Sequence, residues 1–207
     1  MVHIESVGPP FNRAPGAATL AFVLLIRAEA MGLLPSGVEG PTRLDQSLLH
    51  SLAAKLRSAG LATSSAGRIE TSRGKELAHA LRDVLDAINA SPYPEGEWAP
   101  MREILGDDLL SVLVGGISPS SLRRYATGAR ATPDEVAWRL HILTRIVAAL
   151  RGSYNAYGIR QWFERRRSQL AERTPGQVLV NAERPDDPEV ETVTRLAETL
   201  LGPGIAT

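Results

Sequence analysis

The chain has 207 residues, 43% apolar and 22% charged, enough for one large or two small domains with a buried core. Lys+Arg and Asp+Glu are 23 each, so a bulk positive field is excluded as the reason for binding nucleic acid. Cysteine is absent, which excludes disulfides and thiolate metal sites and fits a cytoplasmic location.

Charge is nevertheless unevenly placed. Residues 1–97 carry net −1, residues 98–173 net +5 and residues 174–207 net −4. The basic excess is arginine, which forks phosphate and guanine better than lysine.

Residues 1–16 contain Gly8, Pro9, Pro10, Pro15 and Gly16, which predicts a flexible arm. Residues 17–34 are apolar nearly all round, which predicts a buried helix or one packed in a dimer. The apolar run 17–26 is too short for a membrane span and lacks the flanks of a secretory signal, so no membrane partner is expected. A loop over 35–41 leads to an amphipathic helix over 43–58, where Leu44, Leu48, Leu52 and Leu56 step by four.

Residues 61–71 hold a turn signal, Ser64-Ser65-Ala66-Gly67. One reading is a small β-hairpin at 61–71, giving a winged-helix-like domain; the other is a plain helix-loop-helix. Residues 72–90 predict a further helix with Leu77, Leu81, Val84, Leu85 and Ile88 on one face. The proline-rich segment 91–97 is the expected domain boundary. Residues 17–90 thus read as a helical N-terminal domain that dimerises or adds a binding surface.

The second half is organised around residues 107–130. Leu109, Leu110, Leu113 and Val114 give one short helical face, and Gly115-Gly116 breaks it. Ser118 is a good N-cap with Pro119 at the first helical position. The next helix turns Leu122 and Tyr125 inward and leaves Ser120, Ser121, Arg123 and Arg124 on the other side. Thr127, Gly128 and Arg130 follow. A glycine turn followed by a short helix bearing hydroxyls and arginines is what a helix-turn-helix needs to read a major groove. Ser118, Ser120, Ser121, Arg123, Arg124, Thr127 and Arg130 are therefore the expected DNA-binding residues, Thr127 and Arg130 to backbone. A solvated helical face is the plain alternative.

Thr132-Pro133-Asp134-Glu135 predicts a capping box opening a central helix to about residue 150. Residues 154–167 hold the densest aromatic cluster. In it, Trp162 and Phe163 are either core or an exposed partner anchor. Arg165, Arg166 and Arg167 flank DNA, pair with a partner or are simply solvated. Thr174-Pro175 caps a short helix, and Asp187-Pro188-Glu189 caps the last, with Gly202-Pro203 as its stop. Expected domains are 98–151, DNA-binding, and 152–207, a helical interaction domain, giving an all-α fold. His141 reads as a satisfied core or interface histidine, and His3, His50 and His79 have no metal spacing. No phosphate loop or nucleophile motif is present, so no cofactor, metal or catalysis is expected.

Taken together, SPSSLRRYATGAR with TPDEVAWRL, then GIRQWFERRRSQLAERTPGQVL, then LAETLLG, resemble the Xre/MbcA/ParS antitoxin family over about residues 98–201. The resemblance departs at Glu172, where the family usually has glycine, and does not extend to residues 1–97. It implies an Xre-like helix-turn-helix, autoregulatory binding to double-stranded DNA and a C-terminal region covering a RES-type toxin. With it, Trp162, Arg165, Arg166, Arg167 and Arg173 become expected partner-binding residues. A homodimer suits the motif, because paired recognition helices about 34–36 Å apart match successive major-groove faces. The alternatives are a stand-alone regulator or architectural factor, and a protein–protein adaptor without DNA binding.

Overall fold

Short helices joined by tight turns make up almost all of the computed structural model, which describes residues 4–34 and 42–201. The loop expected at 35–41, the stop at Gly202-Pro203 and the first three residues lie outside the described residues. Among the described residues the fold is all-α apart from one two-stranded sheet. The chain divides at Ser91 into two compact units.

In the N-terminal unit, β1 (Ile4–Val7) pairs in parallel with β2 (Thr42–Leu44), with a register irregularity between Ile4 and Ser6. The Gly8 amide donates to the Leu44 carbonyl at 2.9 Å, and Phe11, in the single 3-10 turn that follows, is buried. The expected flexible arm is thus corrected from residue 4 onward: a large aromatic placed after two prolines anchors it. Helix α1 (Pro15–Ala30) buries every residue from Val23 to Ala30, including Arg27 and Glu29, and packs on α4 (Gly74–Asn89).

Helix α2 (Gln46–Ser58) starts at an N-cap, Asp45, whose Oδ1 accepts from the Leu48 amide at 3.1 Å. Its buried face is Leu49, Leu52, Ala53 and Leu56, with Leu44 in β2 instead. The hairpin considered at 61–71 is corrected to a helix, α3 (Thr63–Thr71). Ala66 and Ile69, three apart, are its buried stripe, and packing on α2 and α4 overrides the weak helix propensity of Ser, Thr and Gly.

In the C-terminal unit, α5 (Pro94–Leu113) runs into the first helix of the predicted motif and is kinked at Gly106, at φ 75° and ψ 158°. That backbone region is essentially restricted to glycine. Then come α6 (Pro119–Ala126), α7 (Asp134–Leu150), α8 (Ala156–Glu164), α9 (Pro175–Asn181) and α10 (Pro188–Glu198). Helix α7 is the centre: all of it except Asp134, Glu135, Trp138 and Arg145 is buried, against α5 on one side and α10 on another. His141 on α7 meets Glu97 of α5 at 2.6 Å, both side chains buried, as a satisfied core pair.

Two caps differ from expectation. Thr132 does not cap α7, which starts after Pro133; its hydroxyl accepts from the Trp98 indole N–H at 3.0 Å. Asp187 does not cap α10 with its side chain; its Oδ2 accepts from the Glu183 and Arg184 amides and closes the preceding loop. The Thr174 box is present, with Gln177 reciprocating.

Candidate nucleic-acid interface

The bend between α5 and α6 is made by the backbone. Gly115 and Gly116 take φ of 107° and 72°. The amides of Gly116 and Ile117 return to the Ser111 carbonyl at 2.9 and 3.1 Å, closing the end of α5. Ser118 then caps α6: its Oγ accepts from the Ser121 amide at 3.2 Å and lies 3.0 Å from the hydroxyls of Ser120 and Ser121.

Leu122 and Tyr125 pin α6 to the unit, both buried. Opposite them, Ser118, Ser120, Arg123, Arg124 and Thr127 are exposed, and Ser121 is half-buried. Arg124 Nε donates to the Ser120 carbonyl at 3.4 Å, and Thr127 Oγ1 donates to the Arg123 carbonyl at 2.9 Å. Among the described residues, no carboxylate lies within ion-pairing distance of Arg123, Arg124 or Arg130. Asp107 is the acid that feels Arg123, but Arg102 holds it with two bonds of 2.7 and 2.8 Å. Those hydrogen bonds, and more weakly the charges of Arg102 and Arg123, keep the Asp107 carboxyl below its ordinary range.

Arg130 is placed by a feature that local sequence patterns do not reveal. Its guanidinium sits 5.5 Å from the centroid of the Tyr125 ring, and Tyr125 stacks on Trp98 at 6.2 Å. Trp98 is in turn tied to Thr132. The column Arg130–Tyr125–Trp98–Thr132 joins α6, the loop behind it and α5, so the exposed arginine rests on a buried aromatic base.

The kink at Gly106 has its own support. Arg160 of α8 donates to the Ile104 carbonyl at 2.8 Å. A Cβ at position 106 would stand 2.7 Å from Asp108 Oδ1.

The expected partner-binding residues divide. Trp162 is buried edge-on against Phe163, so of its two expected roles the exposed anchor is corrected to core. Arg167 lies over the Trp162 ring at 5.4 Å and is half-buried. Arg173 is half-buried and forms an intramolecular tie: it holds Glu189 of α10 with two bonds and the Leu170 carbonyl with a third. Arg165 and Arg166 are exposed, and the exposed aromatics of the cluster are Tyr154 and Tyr157.

Arg139 was missed. It is buried and donates to the carbonyls of Leu179 and Ala182 at 3.0 and 2.7 Å, closing the C-terminal end of α9. Its signal was legible: Arg139 is three residues from Val136 and four from Leu143, on a buried stripe. Among the described residues no three His, Asp or Glu side chains converge on a metal site, and no helix is long and apolar enough to cross a membrane.

The chain has no significant match to known family models, curated proteins or solved structures.

Proposed function

We infer that this protein is a sequence-specific DNA-binding regulator that reads duplex DNA with α6. The observation that carries this reading is the arrangement of that helix. One face is locked by Leu122 and Tyr125, and the other presents Ser120, Arg123 and Arg124 to solvent with no acid pairing the guanidinium groups. A preceding glycine bend and an exposed N-terminus suit entry into a major groove and approach to phosphate. Arginine bonded to guanine O6 and N7 supplies about 1–3 kcal/mol of discrimination.

The family resemblance supports an antitoxin-type autorepressor acting as a homodimer. In that form the exposed Tyr157, with Arg165 and Arg166, is the surface offered to a RES-type toxin.

The test is Arg123→Ala combined with Arg124→Ala. Operator binding measured by fluorescence anisotropy should be abolished while circular dichroism stays helical, because both side chains are exposed. Binding unchanged in this variant sinks α6 as the reading helix.

A further inference from the structure

We propose that α3, in the N-terminal unit, is a second helix that binds duplex DNA. The proposal goes beyond the reading of α6 and stands or falls separately from it.

Helices α2 and α3 share the glycine turn of the α5–α6 pair, though α3 starts after a left-handed Ala62 and has no serine cap. Four residues, 59–62, join them, with Gly60 at φ 71°. The amide of Leu61, which is buried, returns to the Leu56 carbonyl at 2.8 Å and closes α2, as Ile117 does for α5. Helix α3 buries Ser65, Ala66 and Ile69. Thr63, Ser64, Arg68 and Thr71 are exposed on the other side, at the spacing of one helical face. Gly67 lies on that side without a side chain, and a Cβ there would meet only Arg57 Nη1, at 3.9 Å, so another surface has room to come close.

The last turn of the helix is tied to its neighbours at Glu70. Gln46 and Arg73 donate to the Glu70 carbonyl at 3.2 Å, and His50 Nε2 lies 3.3 Å from it. Arg57 of α2 holds the Glu70 carboxylate at 2.9 Å.

Charge picks the partner. Residues 55–75 carry Lys55, Arg57, Arg68, Arg73 and Lys75 against one acid, Glu70, with Glu76 and Asp83 exposed beside them, whereas the rest of residues 1–91 holds four basic side chains and five further acids. All five cations are exposed, on α3 and its two flanks. Arg68 pairs with Asp83 at 2.5 Å, but both are solvent-exposed. An exposed pair of this kind is worth little, so Arg68 can trade the carboxylate for a phosphate. Hydroxyls, a bare glycine and a ring of cations fit a polyanionic backbone, with Ser64 and Thr63 at the helix N-terminus.

The test uses the full chain and selection from a pool of random duplexes. Ser64→Glu adds one charge in the first turn of α3, where an acid favours the helix; Ser64→Gln is the neutral control of the same size. The wild type should enrich two distinct sequence elements. Ser64→Glu should lose one of them and bind it at least tenfold more weakly than Ser64→Gln, while the element lost in the Arg123→Ala, Arg124→Ala variant is retained. Equal affinity and identical selected sequences for Ser64→Glu and Ser64→Gln overturn the proposal. If every selected sequence survives the α6 double variant and one of them is lost only in Ser64→Glu, α3 is sustained and α6 is rejected. Enrichment of nothing by the wild type rejects both.

Discussion

Arg139 shows how one side chain holds a unit together. It spans from α7 to the C-terminal carbonyls of α9, a place where a helix leaves acceptors unpaired. Replacing it with alanine strands two buried carbonyls, each at a cost of about 1–3 kcal/mol. Arg139→Ala should therefore lower unfolding free energy by roughly 2–4 kcal/mol in urea titration. Arg165→Ala, at an exposed position, should change it by less than about 0.5 kcal/mol. A different single-residue effect operates at Glu172. It is exposed and takes φ 61°, next to Ala171 at φ 52°, a left-handed pair without glycine. Such a conformation costs an ordinary residue about 1–2 kcal/mol, partly offset for glycine by its freer unfolded chain. Glu172→Gly should raise stability by about 0.5–1 kcal/mol. A lower melting temperature for that variant would show that the turn draws on contacts of the Glu172 side chain.

At the scale of elements, the kinked α5 matters most, because its second segment carries the turn into α6. Arg102 and Asp107 clamp the two segments across Gly106. The Asp107 pKa is held below its ordinary value chiefly by the Arg102 hydrogen bonds, so the folded state binds this proton less readily than the unfolded chain. The clamp therefore contributes fully above the unfolded value of about 3.9 and is lost as pH falls through the depressed folded value. The stability difference between wild type and Asp107→Asn should be constant at neutral pH and shrink only below about pH 4. A difference that already shrinks between pH 6 and 7 would rule this clamp out. The elements themselves were largely legible where apolar residues recur every three or four positions, as at Leu77, Leu81, Val84 and Ile88. The α5–α6 bend was legible from Gly115-Gly116, Ser118 and Pro119. Helix α3 was not, because Ser64-Ser65-Ala66-Gly67 signals a turn locally and only packing on α2 and α4 makes it helical. The partners of Thr132 and Arg139 escaped for a related reason: Arg139's place on the buried stripe was legible, but the α9 carbonyls it holds, like the Trp98 indole that Thr132 meets, are distant in sequence.

For the molecule as a whole, zero net charge bears on how the proposed binding to DNA would work. There is little long-range field to steer the encounter, so affinity has to come from local contacts, and each phosphate neutralised releases counterions. Arg123 and Arg124 stand on the helix face itself, whereas Arg130 rests beyond its end on the Tyr125 ring. Under the proposed function, this difference gives base reading to the first two and backbone contact to the third. Arg130→Ala should weaken binding about equally for all sequences and reduce the slope of log affinity against log salt by about 0.9 per protomer. Arg123→Ala should instead relax preference at one base position and leave the slope nearly unchanged. Titrations at several salt concentrations, with selected and scrambled duplexes, separate the two effects. If Arg130→Ala changes sequence preference and not the slope, the stacked column directs a base-reading arginine, and the division of labour proposed for the two positions is reversed.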